Sequence, residues 1–232
     1  MSRPVGKLPS SSAALAGIPA GVQTCGPWSG RRQLFIRFAV EAETATIYSA
    51  EALRGELARL TARSRYHSIA ITGRDALAEE QFLRDVFEAK SSLPVMLDHD
   101  GQRPAELQGL LHALSLVQVT LEGTEGAPAL ERASQTIALS ARKHVTHTVV
   151  VLPLPSVSDG VLLRIVEQIH GASADTVIVV HPVSDRSPDH DRRWASWLEQ
   201  AMAVHADVRV LSRWPVPAAR PEDAGTRNAR SG

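Results

Sequence analysis

The chain has 232 residues, 44% of them apolar, which is enough for one substantial core and favours one domain over two. Lysine plus arginine equal aspartate plus glutamate at 25 each, so no overall field draws the protein to nucleic acid or to an anionic membrane. The one cysteine, Cys25, excludes an internal disulfide framework and any site built from three or four thiolates of a single chain, and fits a reducing, cytoplasmic setting.

Taken in chain order, residues 1–20 carry Arg3 and Lys7, then Pro9 and a serine run, with no continuous apolar core of the kind a signal peptide needs. They are expected to be flexible. No apolar stretch approaches the length that spans a bilayer. From residue 33 to 211, short β-branched runs alternate with longer amphipathic segments, the pattern of a parallel sheet with crossover helices. Seven strands are predicted, at 33–39, 68–72, 94–98, 117–121, 146–152, 176–181 and 207–211, apolar enough to be covered on both faces.

Six helices fall between them. Their apolar faces are set by Leu53, Leu57 and Leu60; by Phe82, Val86 and Phe87; by Leu107, Leu110, Leu111 and Leu114; by 130–141; by 161–169; and by Trp194, Trp197, Leu198 and Met202. Pro104 and Pro128 suit first-turn positions, and Ser158 with Asp159 suits an N-terminal cap. The stretch 215–232, rich in Pro, Ala, Arg, Gly and Asn, is expected to be a disordered tail, which leaves 21–214 as the α/β domain.

Periodicity alone fits either a partial (β/α) barrel or an open doubly wound sheet, and both bind ligands at the C-terminal strand ends. Those ends carry Glu41 and Glu43, Arg74 and Asp75, Asp98-His99-Asp100, Glu122, and His181 with Asp185. Carboxylates and imidazoles so placed can hold a hard metal ion, although a solvated turn with a capping aspartate is the plainer reading without a recognised spacing. His144 and His147 fall on the N-terminal side of the sheet and read as structural. Cys25 lacks a neighbouring base, Trp194 and Trp197 suit a core or interface stripe, and Arg31, Arg32 and Arg37 form the best local basic cluster. Arg37 lies opposite its neighbours Ile36 and Phe38 on the strand, so it could equally pair with a carboxylate at the sheet mouth.

One stretch, together with the Thr72-Gly73 turn, is specific enough to name a family. Gly26-Pro27-Trp28-Ser29-Gly30-Arg31-Arg32-Gln33-Leu34-Phe35-Ile36-Arg37-Phe38-Ala39 resembles the opening of 7-carboxy-7-deazaguanine synthases of the radical S-adenosylmethionine superfamily, which read G-x-x-x-G-R-x-x-x-F-x-R-F-A. The resemblance implies a single-domain partial (β/α) barrel of about six to seven parallel strands over roughly residues 20–212. In that family three cysteines follow, holding a [4Fe–4S] cluster whose free iron takes S-adenosylmethionine. The positions here are Glu41, Ala45 and Tyr48, none of which replaces a soft thiolate.

Two further motifs diverge. The family's T-G-G-E-P-L turn, which meets the cofactor's ammonium group, is Thr72-Gly73-Arg74-Asp75-Ala76-Leu77, adding a cation and bulk and losing proline's fixed φ. The family's Q-G-E-G at the substrate site is Gln23-Thr24-Cys25-Gly26, and its third strand ends E-T-N-G where this chain has Asp98-His99-Asp100-Gly101. The resemblance therefore implies a scaffold without iron–sulfur cluster or S-adenosylmethionine, acting as a binding or partner protein. It could form a homodimer, or a heterodimer with an active homologue, and take a small molecule at Gln23, Arg37, Asp98, His99, Asp100 and His181. The alternatives are an enzyme with new metal-assisted or acid–base chemistry at the barrel mouth, and a synthase-like protein of a 7-deazapurine pathway.

Overall fold

The structure, a computed structural model, describes residues 11–40, 44–73, 75–182 and 191–212. Alternation of short apolar runs with amphipathic segments produces β1 (Ser12–Gly17), β2 (Ala20–Val22), β3 (Arg32–Phe38), β4 (Thr46–Ser49), α1 (Ala50–Arg63), β5 (Ser68–Gly73), α2 (Glu80–Val86), β6 (Val95–His99), α3 (Pro104–Leu110) and β7 (Leu116–Leu121). They are followed by α4 (Ala127–Arg142), β8 (Thr146–Val151), α5 (Asp159–Ala172), β9 (Val177–Val180), α6 (Arg192–Val204) and β10 (Val208–Val210). The predicted strands and helices coincide with these to within a residue or a few at each end.

Among the described residues, all ten strands join one sheet, in the order β10-β9-β8-β7-β6-β5-β3-β1-β4, with β2 alongside β3. From β3 to β10, leaving out β4, the strands are parallel and lie in chain order, without the reversal that marks a doubly wound sheet. Successive helices pack on one another from α1 to α6, which places them together on one face of the sheet.

Alternation along each strand decides what covers each face. Leu34, Ile36 and Phe38 of β3, Ile69 and Ile71 of β5, and Val95 and Leu97 of β6 turn to the helices, as do Val149 and Val151 of β8 and Ile178 and Val180 of β9. Their odd-numbered or even-numbered partners, among them Ala70, Met96, Leu116, Val150 and Val179, cover the opposite face in smaller clusters with Cys25, Trp28 and Phe35. Trp194 and Trp197 meet edge to face at 5.9 Å inside the helix-side core, as a core stripe would.

Two stretches differ from expectation. The N-terminal residues expected to be flexible, 1–20, contain β1 and the first residue of β2, and β1 inserts antiparallel between β3 and β4. Its sequence, Ser-Ala-Ala-Leu-Ala-Gly, has little β-propensity of its own. The ladder partners on both sides and the burial of Ala13 and Leu15 in the core make it a strand. The same ladder draws residues 46–49, where no strand is predicted, into β4. The tail 215–232 lies outside the described residues, and no helix among those described is long and apolar enough to cross a membrane.

Candidate functional site

Residues 23–31 form a turn that lies across the face of the sheet away from the helices. Gln23 closes it on both sides, its N–H donating to the Arg31 carbonyl and its carbonyl accepting from Gly30 N–H, each at 2.9 Å. Gly26 has φ +77°, and a Cβ there would sit 2.0 Å from Gln118 Oε1, so glycine is the residue that lets the turn touch β7. Its N–H donates to His181 Nε2 at 3.2 Å. Beside it the Gln118 amide reaches Cys25 Sγ at 3.9 Å, and Trp28 packs on Ala70, Met96 and Leu116.

This enclosed face is polar at its centre. Gln23, Gln118 and His181 are 4%, 0% and 1% exposed. Gln23 Nε2 and Gln118 Oε1 have no partner among the described residues, a condition that costs on the order of 1–3 kcal/mol for each buried group. Toward the strand ends, Thr120 Oγ1 donates to Asp98 Oδ1 at 2.7 Å. Burial pushes the Asp98 carboxyl up, and hydrogen bonds from Thr120 and Gln118 work against that shift. Arg37, exposed on the same face, stands beside Thr72 in the β3–β5 register.

The second region is an open cleft of about 840 Å³ at the outer rim of the C-terminal strand ends, among the turns after β5 and β6, the start of α3 and the first half of α4. Gly73 has φ +102°, and a Cβ would lie 2.5 Å from the Phe38 carbonyl oxygen, so the close approach of β3 and β5 demands glycine. Asp75 follows in the left-handed region at φ 48°. Its carboxylate takes a two-pronged hydrogen bond from Arg103 at 2.5 and 2.6 Å, and Arg103 also reaches Glu106 at 3.1 Å.

His99 faces this cleft. Burial lowers its pKa to about 4, with Asp100 and Asp75 pulling the other way, so the imidazole is neutral at physiological pH. Gly101 N–H donates to Nδ1 at 3.2 Å, which places the ring proton on Nε2, a buried atom without a partner among the described residues.

The strand pleat thus separates residues that adjoin in sequence. Asp98 belongs to the enclosed face and His99 to the rim cleft, so Asp98, His99, Asp100 and His181 do not converge, and among the described residues no group of three histidine, cysteine, aspartate or glutamate side chains could hold a metal ion. Asp75, His99 and Asp100 come together at the rim; Gln23, Asp98 and His181 share the enclosed face with Thr72 and Arg37. Ala45 is exposed ahead of β4, and Tyr48 is built into β4 with its ring against the core. Glu41, Arg74 and Asp185 lie outside the described residues.

Sequence reasoning overlooked Gln118, Arg103 and Arg132. Gln118 had a signal, an amide in the middle of the apolar run Leu116-Val117-Gln118-Val119. The two arginines had none, since solvated arginines on helices are ordinary.

Singly ordered parallel strands with helices gathered on one face, and polar groups at the C-terminal ends, define a mixed α/β fold whose sheet is mostly parallel. Among solved structures, the crystal structure of QueE from Escherichia coli resembles it with a TM-score of 0.55, over 88% of this chain and 95% of that one, at 13% identity. No protein-family model and no curated protein matches the sequence.

Proposed function

We propose that the chain is a pseudoenzyme on a partial-barrel scaffold related to 7-carboxy-7-deazaguanine synthase, without an iron–sulfur cluster, and that it works as a binding or partner protein. The observation that carries this reading is the use made of the cluster positions. Tyr48, the third of them, is paired in β4 with Ala13 of β1 and packs its ring on the core, while Cys25, the sole thiol, is buried against β8 and β9 under Gln118. The donor set does not fit a cluster: a phenol committed to packing, an alanine and a carboxylate residue supply no soft ligand.

The turn after β5 supports the same reading. Asp75, where a cofactor-binding carboxylate would be sought, is neutralised by Arg103. A partner role, in a homodimer or with an active homologue, predicts co-purification from native lysate.

Anaerobic reconstitution with iron and sulfide tests the proposal directly. The expected result is no charge-transfer absorbance and no cleavage of added S-adenosylmethionine; a cluster in stoichiometric yield overturns it. The alternative of new metal-assisted or acid–base chemistry requires stoichiometric metal that is lost on Asp98→Ala or His181→Ala, two residues of the enclosed face.

A further inference from the structure

Charge on this chain is balanced in sum but not in place. The segments that enter β3, β5, β6, β7 and β8, taken with the last residue of the helix before them, carry Arg31, Arg63, Arg65, Lys90, Arg142 and Lys143 against Glu88 alone. The segments entering β9 and β10 add Asp175 and Asp207, the latter paired with Arg209. Arg63 and Arg142 end helices, where a cation already meets the negative end of the helix dipole. Arg31, Arg32 and Arg65 have no such use.

These three are drawn together among aromatic rings. β3 and β5 run side by side from Gln33 and Ser68, which sets Arg32 next to His67. The Arg32 guanidinium lies 4.6 Å from the centre of the Tyr66 ring, and its Nη1 donates to the Arg65 carbonyl at 3.2 Å. The His67 N–H donates to the Arg32 carbonyl at 2.8 Å, and the His67 ring meets Trp28 edge to face at 4.9 Å. Burial, and then the charge of Arg31, hold this imidazole below its ordinary pKa, so it is a neutral ring.

Arg31, Arg32 and Arg65 are exposed, and none of them joins an ion pair among the described residues. Neither 28–32 nor 64–68 contains a carboxylate. On the adjoining helix Glu56 is taken by Arg59, with Arg63 also close to it. A groove of about 200 Å³, lined in part by Arg54, Ile69 and Lys90, continues the cationic surface from β5 toward β6. Guanidinium groups without counter-charges favour anions. Their planes also fork onto phosphate and accept a nucleobase on the outer face, which a lysine surface does not do.

We propose that this end of the sheet binds a single strand of nucleic acid, with Arg31 and Arg65 on its phosphates and a base stacked on the Arg32–Tyr66 pair. The surface lies at the opposite strand ends from the rim cleft and does not depend on the pseudoenzyme reading.

Fluorescence anisotropy of the full chain with fluorescein-labelled oligo(dT) and oligo(rU) of about twelve nucleotides tests this and tells DNA from RNA. Saturable binding is expected with one or both, its logarithm falling against log salt with a slope of about −2, the value for three phosphate contacts on a single strand. Arg65→Gln, in an exposed turn, should weaken binding about fivefold and reduce the slope by about 0.7, with the urea midpoint unchanged. Arg31→Gln gives the same readout from a separate turn, while Arg164→Gln, exposed on α5, should change neither quantity. Four results overturn the proposal: no saturable binding of either oligomer at low salt; an abasic deoxyribose-phosphate oligomer bound as tightly as oligo(dT); polyglutamate or phosphatidylserine vesicles displacing the oligomer more readily than unlabelled strand does; and affinity and slope unchanged in both Arg65→Gln and Arg31→Gln.

Discussion

The two faces of β6 treat neighbouring polar residues in opposite ways. Asp98 points into a space that the chain closes with its own residues 23–31, and His99 points to a cleft left open at the rim. On the enclosed face, buried amides meet a glycine turn, a thiol and a tryptophan, so the polar groups serve packing and local hydrogen bonding. At the rim, the ion pairs of Arg103 with Asp75 and Glu106 tie the turn after β5 to the start of α3, and the cleft beside them stays open. A polar residue at a strand end is therefore not by itself a site; what matters is whether the chain has already covered it.

Removing the cover should have the largest effect. Trp28→Ala takes away the ring that packs on Ala70, Met96 and Leu116, and is expected to cost about 3 kcal/mol, read as a lowered urea midpoint. If stability is unchanged, residues 23–31 do not close this face in solution.

Next comes a pH effect at the rim. Because the folded-state pKa of His99 falls to about 4 from an ordinary 6.5, the unfolded chain binds the extra proton between those values. Stability contributed at neutral pH is lost as pH falls through that window, by on the order of 2–3 kcal/mol. His99→Gln, which keeps a side-chain acceptor for Gly101 N–H, should flatten the dependence measured by urea unfolding from pH 7 to pH 4.

Asp98 should act with the opposite sign. Its carboxyl is raised by burial, so the folded state holds the proton more tightly and stability falls as pH rises from the ordinary carboxylate range through the raised value. Asp98→Asn should remove that fall and gain stability at pH 7 relative to the parent chain. A loss instead would mean that the ionised carboxylate is needed on the enclosed face.

The smallest effect is expected at Arg103. Its pairs with Asp75 and Glu106 are solvent-accessible, so Arg103→Ala should cost under about 1 kcal/mol and less still at high salt.

The parallel strands and the helices were legible because each carries its own periodic signal: Ile69, Ile71, Val95 and Leu97 are apolar in runs, and Leu53 and Leu57 recur at helical spacing. Pro104 and Pro128 marked helix starts correctly, since a first-turn residue needs no N–H partner. The position of Arg37 opposite Ile36 and Phe38 followed from the pleat alone. Asp75 and His99 could be placed at strand ends, but their companions Arg103 and Arg132 come from helices whose surface arginines look like any others.

By itself the sequence determined an alternating α/β chain, a resemblance confined to a few specific turns, and a donor set too poor in thiolates for a three-cysteine cluster. These follow from local periodicity and from residue chemistry, which need no neighbours in space. Only the tertiary structure decided that residues 12–17 become a strand, that 23–31 close one face, and that Asp98 and His99 part company. Each depends on pairing or contact between segments far apart in the chain, where Ala13, Gly26 and Gln118 acquire a meaning that none has locally.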